Sequence, residues 1–181
     1  MNVTLYTIGH SNRSIEQLLA MLHGAGVRLL VDIRSQPTST RYPQFESDTL
    51  RNELEAAGLQ YHWAGRSLGG RRTPRTQSPH IALLDDGLRG FADHMASDNF
   101  KKGVAQLINL AGRSSTAVLC AERLPETCHR QLLADYLLLQ GVTVVHLIDP
   151  GVHREHQLSA QARRDSSNLL YDRLTSDALE F

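Results

Sequence analysis

The sequence predicts a three-layer α/β domain with a mainly parallel sheet and a helical insertion, and three observations carry that reading. Apolar, β-rich runs alternate with segments of helical periodicity, which implies crossover connections and a sheet covered by helices on both faces. The run "VRLLVDIRS" is apolar nearly throughout, as suits an interior parallel strand. Two helical segments, "GLRGFADHMAS" and "DNFKKGVAQLINLAG", follow one another without a strand, so the alternation is interrupted before the fourth strand.

Each element has its own signal. "VTLYTIG" is a β-rich run stopped by Gly9. Ser14 and Gln17 have the spacing of a capping box at the head of "SIEQLLAMLHGAG", where Ile15, Leu18, Leu19 and Leu22 share one helical face. "VRLLVDIRS" follows, then a loop, "SQPTSTRYPQF", with two prolines. "SDTLRNELEAAG" reads as a helix with Leu50 and Leu54 inward, and "LQYHW" as a third strand. "AGRSLGGRRTPRTQSPH" has the composition of a long functional loop. After the two inserted helices, "STAVLCAE" is a strand, "PETCHRQLLADYLLLQG" a helix begun near Pro125, and "VTVVHLIDP" a strand. From Gly151 the chain is polar, with one modest amphipathic stretch ending at Leu174.

The chain of 181 residues fits a single domain, with a core over about 1–150 and a polar C-terminal extension over 151–181. Hydrophobic residues make up 41 % and charged residues 21 %, the balance of a globular chain. Net charge is zero, so an anion-binding surface has to be local. "MNVTLYTIGHSNRS" lacks the basic start and apolar run of a signal peptide, and no stretch has the length to span a bilayer. The expected location is the cytoplasm, where disulfides seldom persist, and two cysteines are too few for a disulfide scaffold.

In open parallel sheets, ligands bind beyond the carboxyl ends of the strands. Here those ends carry His10 and Ser11, Asp32 with Arg34 and Ser35, Cys120 followed by Glu122, and His146 with Asp149. Four polar or reactive endings predict a site at that rim. Each residue also has a structural reading. Asp32 is suited to capping a turn, Arg34 to pairing with Asp32 or Glu122, and His146 to sitting satisfied in the core. His10 follows a strand-ending glycine and precedes a helix, where anions are favoured. Neither a P-loop nor a dinucleotide fingerprint is present.

The stretch "LCAERLPETCHR" holds both cysteines. Cys128 is expected in the first turns of its helix, beside His129 and Arg130, where a thiol's pKa falls. Nucleophile and core filler remain competing readings for it, while Cys120 at the strand end reads as buried packing. Cys-x5-Arg spacing is absent, which disfavours phosphatase or rhodanese chemistry in its usual form, and paired CxxC spacing for structural zinc is absent too. A catalytic metal stays open, and no cofactor is assigned. Arg66, Arg71, Arg72 and Arg75 flank Gly69 and Gly70, a combination suited to phosphate, with Tyr61, His62 and Trp63 upstream as candidate stacking surfaces for a base.

Together, "TIGHS", "VDIRSQPTS", "LGG", "LCAERLPETCHR", "HL" at 146 to 147 and "HREHQLS" resemble the bacterial domain-of-unknown-function 488 family. The resemblance implies a Rossmann-like domain but no substrate or mechanism. It carries over His10, Ser11, Asp32, Arg34, Ser39, Gly69, Gly70, Cys120, Glu122, Cys128, His129 and Arg130 as motif positions. Where the family pattern has "DVR" and a short "PxS" element, this chain has "DIRSQPTS".

Three functions compete at this stage. The first is an enzyme, a hydrolase or transferase, acting on an anionic, phosphate-bearing small molecule, nucleotide or exposed nucleic-acid base. His10, Glu122 and Cys128 would be catalytic. Ser11, Asp32, Arg34, Ser39, Gly69, Gly70, Arg71, Cys120, His129 and Arg130 would form the binding set. The second is a nucleotide or nucleic-acid binding module without chemistry, and the third a metal-binding or redox-sensing protein using Cys120 and Cys128. No membrane partner is expected, and the oligomeric state is left open.

Overall fold

The computed structural model describes residues 2–174. Six strands form one sheet: β1 (Thr4–Gly9), β2 (Leu29–Asp32), β3 (Gln60–Trp63), β4 (Thr116–Cys120), β5 (Thr143–Asp149) and β6 (Val152–Glu155). Their order is β3-β2-β4-β1-β5-β6, with the first five parallel and β6 antiparallel to β5. This is a mainly parallel, Rossmann-like α/β sheet flanked by helices. The fourth strand enters between β2 and β1, so the carboxyl ends of β2, β4 and β1 lie side by side.

The alternation of side chains along each strand divides the core into two layers. One face carries Ile8, Leu30, Ala117, Leu119 and Leu147 against α1 (Ile15–Gly24) and α2 (Ser47–Ala56), which supply Leu18, Leu22, Leu50 and Leu54. The other face carries Leu5, Val31, Val118 and Val144. It packs on α3 (Gly65–Leu68), α4 (Asp86–His94), α5 (Asp98–Arg113) and α6 (Arg130–Leu139). The helices between β3 and β4 are the inserted ones, and Phe91, Phe100 and Val104 anchor them. At the head of α1 the Ser14 hydroxyl accepts from the Gln17 amide and the Gln17 side chain accepts from the Ser14 amide, so the capping box forms as its spacing predicts.

The segment after Gly151 differs from the expected polar extension. It forms β6 and then a hairpin of β7 (Ala162–Asp165) and β8 (Asn168–Tyr171). All four residues of β6 are exposed, so no apolar alternation marked it as a strand. The hairpin turn places Ser166 at φ 55, and Ala162, Leu169 and Tyr171 sink into the core beside α6. The extension therefore completes the second helical layer. Among the described residues, no helix is long and apolar enough to cross a membrane.

Gly9 closes β1 where the loop after β4 crosses it. His10 and Ser11 donate their amides to the carbonyls of Cys120 and Ala121, at 2.9 Å each, and a Cβ on Gly9 would overlap the Glu122 carbonyl. Gly9→Ala is therefore expected to lower stability by about 3 kcal/mol, at the upper end for overpacking against backbone. Urea denaturation of the two proteins measures the difference.

Candidate functional site

The adjacent ends of β2 and β4 open into a cavity of about 280 Å³ at the carboxyl rim. Its walls include Arg34, Gly70, Arg71, Cys120, Glu122, Cys128 and His129, all anticipated from sequence. Asp85, Gly87 and Leu88, around the start of α4, form another wall that the sequence did not point to.

The centre of the site is a dithiol beside a buried arginine. Cys120 ends β4 and Cys128 stands two residues before α6, and their sulfurs are 3.2 Å apart. The helix begins later than expected: Pro125–Thr127 form a 3-10 turn, and Cys128 is extended at φ -146, ψ 171. The Cys128 amide closes that turn on the Pro125 carbonyl. This geometry turns the Cys128 sulfur back toward Arg130, whose amide and Nε both donate to it at 3.3 Å. Arg130 Nη2 donates to the carbonyls of Glu122 and Arg123, at 2.6 and 3.2 Å, and Nη1 to Thr7 Oγ1 at 3.1 Å. Arg130 is wholly buried.

The two thiols titrate apart. The hydrogen bond from Cys120 pushes the Cys128 pKa down, and against the opposing effect of burial Arg130 adds its charge and its hydrogen bonds. Burial pushes Cys120 up, and its bond to Cys128 adds to the shift. The shifts run in opposite directions, so Cys128 is the more acidic of the two thiols.

The "DIRS" and "GHS" residues form a supporting layer. Arg34 forks onto Asp32, with Nε to Oδ1 at 2.9 Å and Nη2 to Oδ2 at 2.7 Å, while the Tyr61 hydroxyl donates to Oδ2 at 2.7 Å. Arg34 Nη1 donates to the Phe45 carbonyl, so its guanidinium is largely occupied although an edge reaches the cavity. His10 stacks on Phe45 at 4.4 Å, donates Nδ1–H to the Ser11 carbonyl, and lies behind Arg34 rather than in the cavity wall. Desolvation by burial lowers its pKa to about 4; Arg34 adds to this, while the Ser11 bond and Asp32 oppose it. Ser11 adopts φ 47 at the turn into α1. Ser39 fixes its own loop, accepting from the Tyr42 amide and donating its amide to Glu46. It does not line the cavity.

The glycines and arginines after α3 divide their work. Gly69 packs on Ser35, and Gly70 lies against the His129 ring, where a Cβ would clash. His129 donates Nε2–H to the Ile33 carbonyl and meets Phe91 edge-on at 5.0 Å, and burial lowers its pKa to about 4. Of the four clustered arginines, Arg71 reaches the cavity, with its amide on Ser35 Oγ and its Nη1 on Gln36. Arg72 folds onto the Gly69 and Arg66 carbonyls, Arg75 pairs with Asp93, and Arg66 lies over Trp63. Tyr61 and Trp63 are engaged by Asp32 and the Arg34 carbonyl, outside this cavity. Glu122 projects its exposed carboxylate at the rim while its carbonyl serves Arg130.

Behind the arginine runs a set of polar groups that the sequence did not assemble. Thr7, His146, His156 and Asp135 form consecutive hydrogen bonds of 2.6, 2.9 and 2.8 Å. A threonine on the core-facing side of β1 and an aspartate within the apolar helix "RQLLADYLLL" are the sequence features that could have marked it. Among the described residues, no three His, Cys, Asp or Glu side chains cluster as a metal site.

The fold and this site define a Rossmann-like α/β protein with a cysteine–arginine centre at its strand carboxyl ends. The family model described as "Domain of unknown function DUF488" matches residues 14–137, two-thirds of the chain, and the protein belongs to that family. No curated protein matches the chain, and no solved structure does.

The buried histidines give the site a pH signature. His10 and His129 have pKa values near 4 and His146 near 3, below the roughly 6.5 of an unfolded histidine. The unfolded chain therefore takes up protons first, so stability is full above about pH 6.5 and falls as pH drops through the window down to 4. A loss of a few kcal/mol is expected between pH 7 and 4.5 in urea denaturation, and His10→Gln should flatten the slope by about one proton.

Proposed function

We propose that this protein is a cysteine-dependent enzyme, a transferase or hydrolase, that acts on a small anion-bearing substrate at the carboxyl rim of its sheet. The observation that carries the reading is Arg130. It is buried completely, and among the described residues the ionisable side chains that act on it are the two thiols, with Cys128 Sγ accepting from its Nε. A buried guanidinium calls for a countercharge, and a Cys128 thiolate supplies it. Thiolates are nucleophiles, and the Cys128 side chain, although buried at the edge of the core, also lines the cavity.

Cys128 is the nucleophile in this reading and Cys120 the holder of its proton. Arg71 takes the substrate anion, the phosphate class being the best match to a guanidinium fork. The edge of Arg34 contributes beside it, and Gly70 makes room for the His129 ring in the wall. Glu122, exposed at the rim, is placed to exchange protons with the leaving group. His10, Asp32 and Ser11 hold Arg34 and the loop, and His129 shapes the floor. Nucleic-acid recognition has less support, because Tyr61 and Trp63 are engaged outside the cavity.

A second reading rests on the 3.2 Å between the sulfurs. With a disulfide substrate, the Cys128 thiolate would attack one sulfur and release the first thiolate. Cys120, giving up its proton, would then attack Cys128 and release the second. The protein dithiol would be oxidised by two electrons and the substrate reduced by two.

Alkylation separates these assignments. The pH profile of Cys128 modification by iodoacetamide, followed by peptide mass spectrometry, should have its midpoint well below the roughly 8.5 of a free thiol. A midpoint at the free-thiol value would sink the nucleophile. Anionic iodoacetate should be favoured over neutral iodoacetamide in the native protein, and Arg71→Ala should reduce that preference roughly two- to fivefold. An unchanged preference removes Arg71 from the anion site. Recovery of a Cys120–Cys128 disulfide after reaction with a small disulfide would favour the second reading.

A further inference from the structure

The polar groups behind Arg130 form a chain with a fixed direction. Arg130 only donates, so Thr7 Oγ1 accepts from it, at 3.1 Å, and directs its own proton to His146 Nδ1, at 2.6 Å. His146 is neutral, its pKa lowered by burial first and by neighbouring His156, Arg130 and Arg154. With Nδ1 accepting, its proton lies on Nε2 and goes to His156 Nδ1, at 2.9 Å. His156 then donates Nε2–H to Asp135, at 2.8 Å. The reverse tautomers would deprive the Thr7 proton of this acceptor and aim a bare ring nitrogen at a carboxylate. Asp135 is itself wholly buried, and it also accepts from the Ser159 amide and hydroxyl and from the Tyr171 hydroxyl, at 2.9, 2.6 and 2.9 Å.

Arg130 and Asp135 thus stand at opposite ends of three hydrogen-bonded links. Every link is polarised in the same sense, which strengthens each bond in a chain and passes part of the carboxylate's field to the guanidinium. We infer that Asp135, His156, His146 and Thr7 are positioning residues that hold Arg130 aimed at Cys128, and that the β7–β8 hairpin and β6 are present to build this relay. The inference rests on the Cys128 thiolate proposed above. The hairpin supplies Tyr171, the strand before it leads into His156, and Ser159 lies between them, so the polar tail of the chain is joined to the rim chemistry through the interior of the protein.

Other charges near the chain are accounted for. Arg154 of β6 pairs with Glu126 at the surface, close to a second cavity of about 340 Å³ whose wall includes His146 and His156. Glu155 lines the same cavity. Around Cys128 stand Cys120 from β4, Arg130 from α6, the edge of Arg34, and Arg71, Asp85, Glu122 and His129 at the cavity wall.

Thr7→Val keeps the shape and branching of the side chain and removes the hydroxyl link. The pH profile of Cys128 alkylation by iodoacetamide should shift upward by about one unit, a roughly tenfold slower reaction below the midpoint. Thr7→Ser, which keeps the hydroxyl, should restore the native profile. Asp135→Asn removes the remote charge and should move the midpoint in the same direction, whatever it does to hairpin stability. A native profile in either Thr7→Val or Asp135→Asn overturns the relay. If the unmodified protein already titrates as a free thiol, it is the thiolate reading that fails, so the two failures are distinguishable. Should Asp135→Asn not fold, the contrast between Val and Ser at position 7 decides alone.

Discussion

The carboxyl rim is organised around one buried guanidinium. Arg130 begins α6 and reaches under the loop that leaves β4, bonding two carbonyls of that loop, the hydroxyl of Thr7 on β1 and the sulfur of Cys128. Removing one partner of a buried charge costs roughly 3–5 kcal/mol, so these contacts constrain one another. The loop must pass directly over Gly9, which leaves no room for a side chain there, and Cys128 must leave helical geometry to present its sulfur. The rim cavity exists because this loop is pulled down onto the arginine while α4 and the glycines after α3 stand back from it.

A buried ion pair, Asp32 with Arg34, supports the opposite wall. Its geometry is bidentate and both partners are buried, with Tyr61 and the Phe45 carbonyl satisfying what the pair leaves over. Arg34 and Arg130 illustrate two treatments of the same side chain. Arg34 has a carboxylate at contact distance and is consumed largely by structure. Arg130 has a thiol instead, and a carboxylate four hydrogen bonds away.

Much of the fold was legible because parallel strands and capped helices leave local signals. "VRLLVDIRS" had to be interior, Ser14 and Gln17 had to cap, and the inserted helices showed their period. The rim residues were legible for a topological reason, since strand carboxyl ends converge whatever the strand order. The start of α6 was misplaced because Pro125 suits a 3-10 turn as well as a first helical turn, and only the pull of Arg130 on Cys128 separates the two. The β6 strand and the hairpin had no apolar alternation to read, as β6 is exposed along its length and the hairpin buries Ala162, Leu169 and Tyr171 through contacts made only in the folded chain.

By itself the sequence determined the α/β class, and it brought Cys120, Glu122, Cys128, His129 and Arg130 together as one candidate stretch at the carboxyl rim. Strand endings and capping patterns are local properties, so neighbours in sequence suffice to read them. Only the tertiary structure decided that Arg71 of the clustered loop arginines reaches the cavity, that His10 lies behind Arg34 rather than in its wall, and that Thr7, His146, His156 and Asp135 join in one line. Those partners lie up to 139 residues apart, between Thr7 and His146, and hydrogen bonds between them depend on strand order and side-chain direction, which no spacing along the chain encodes.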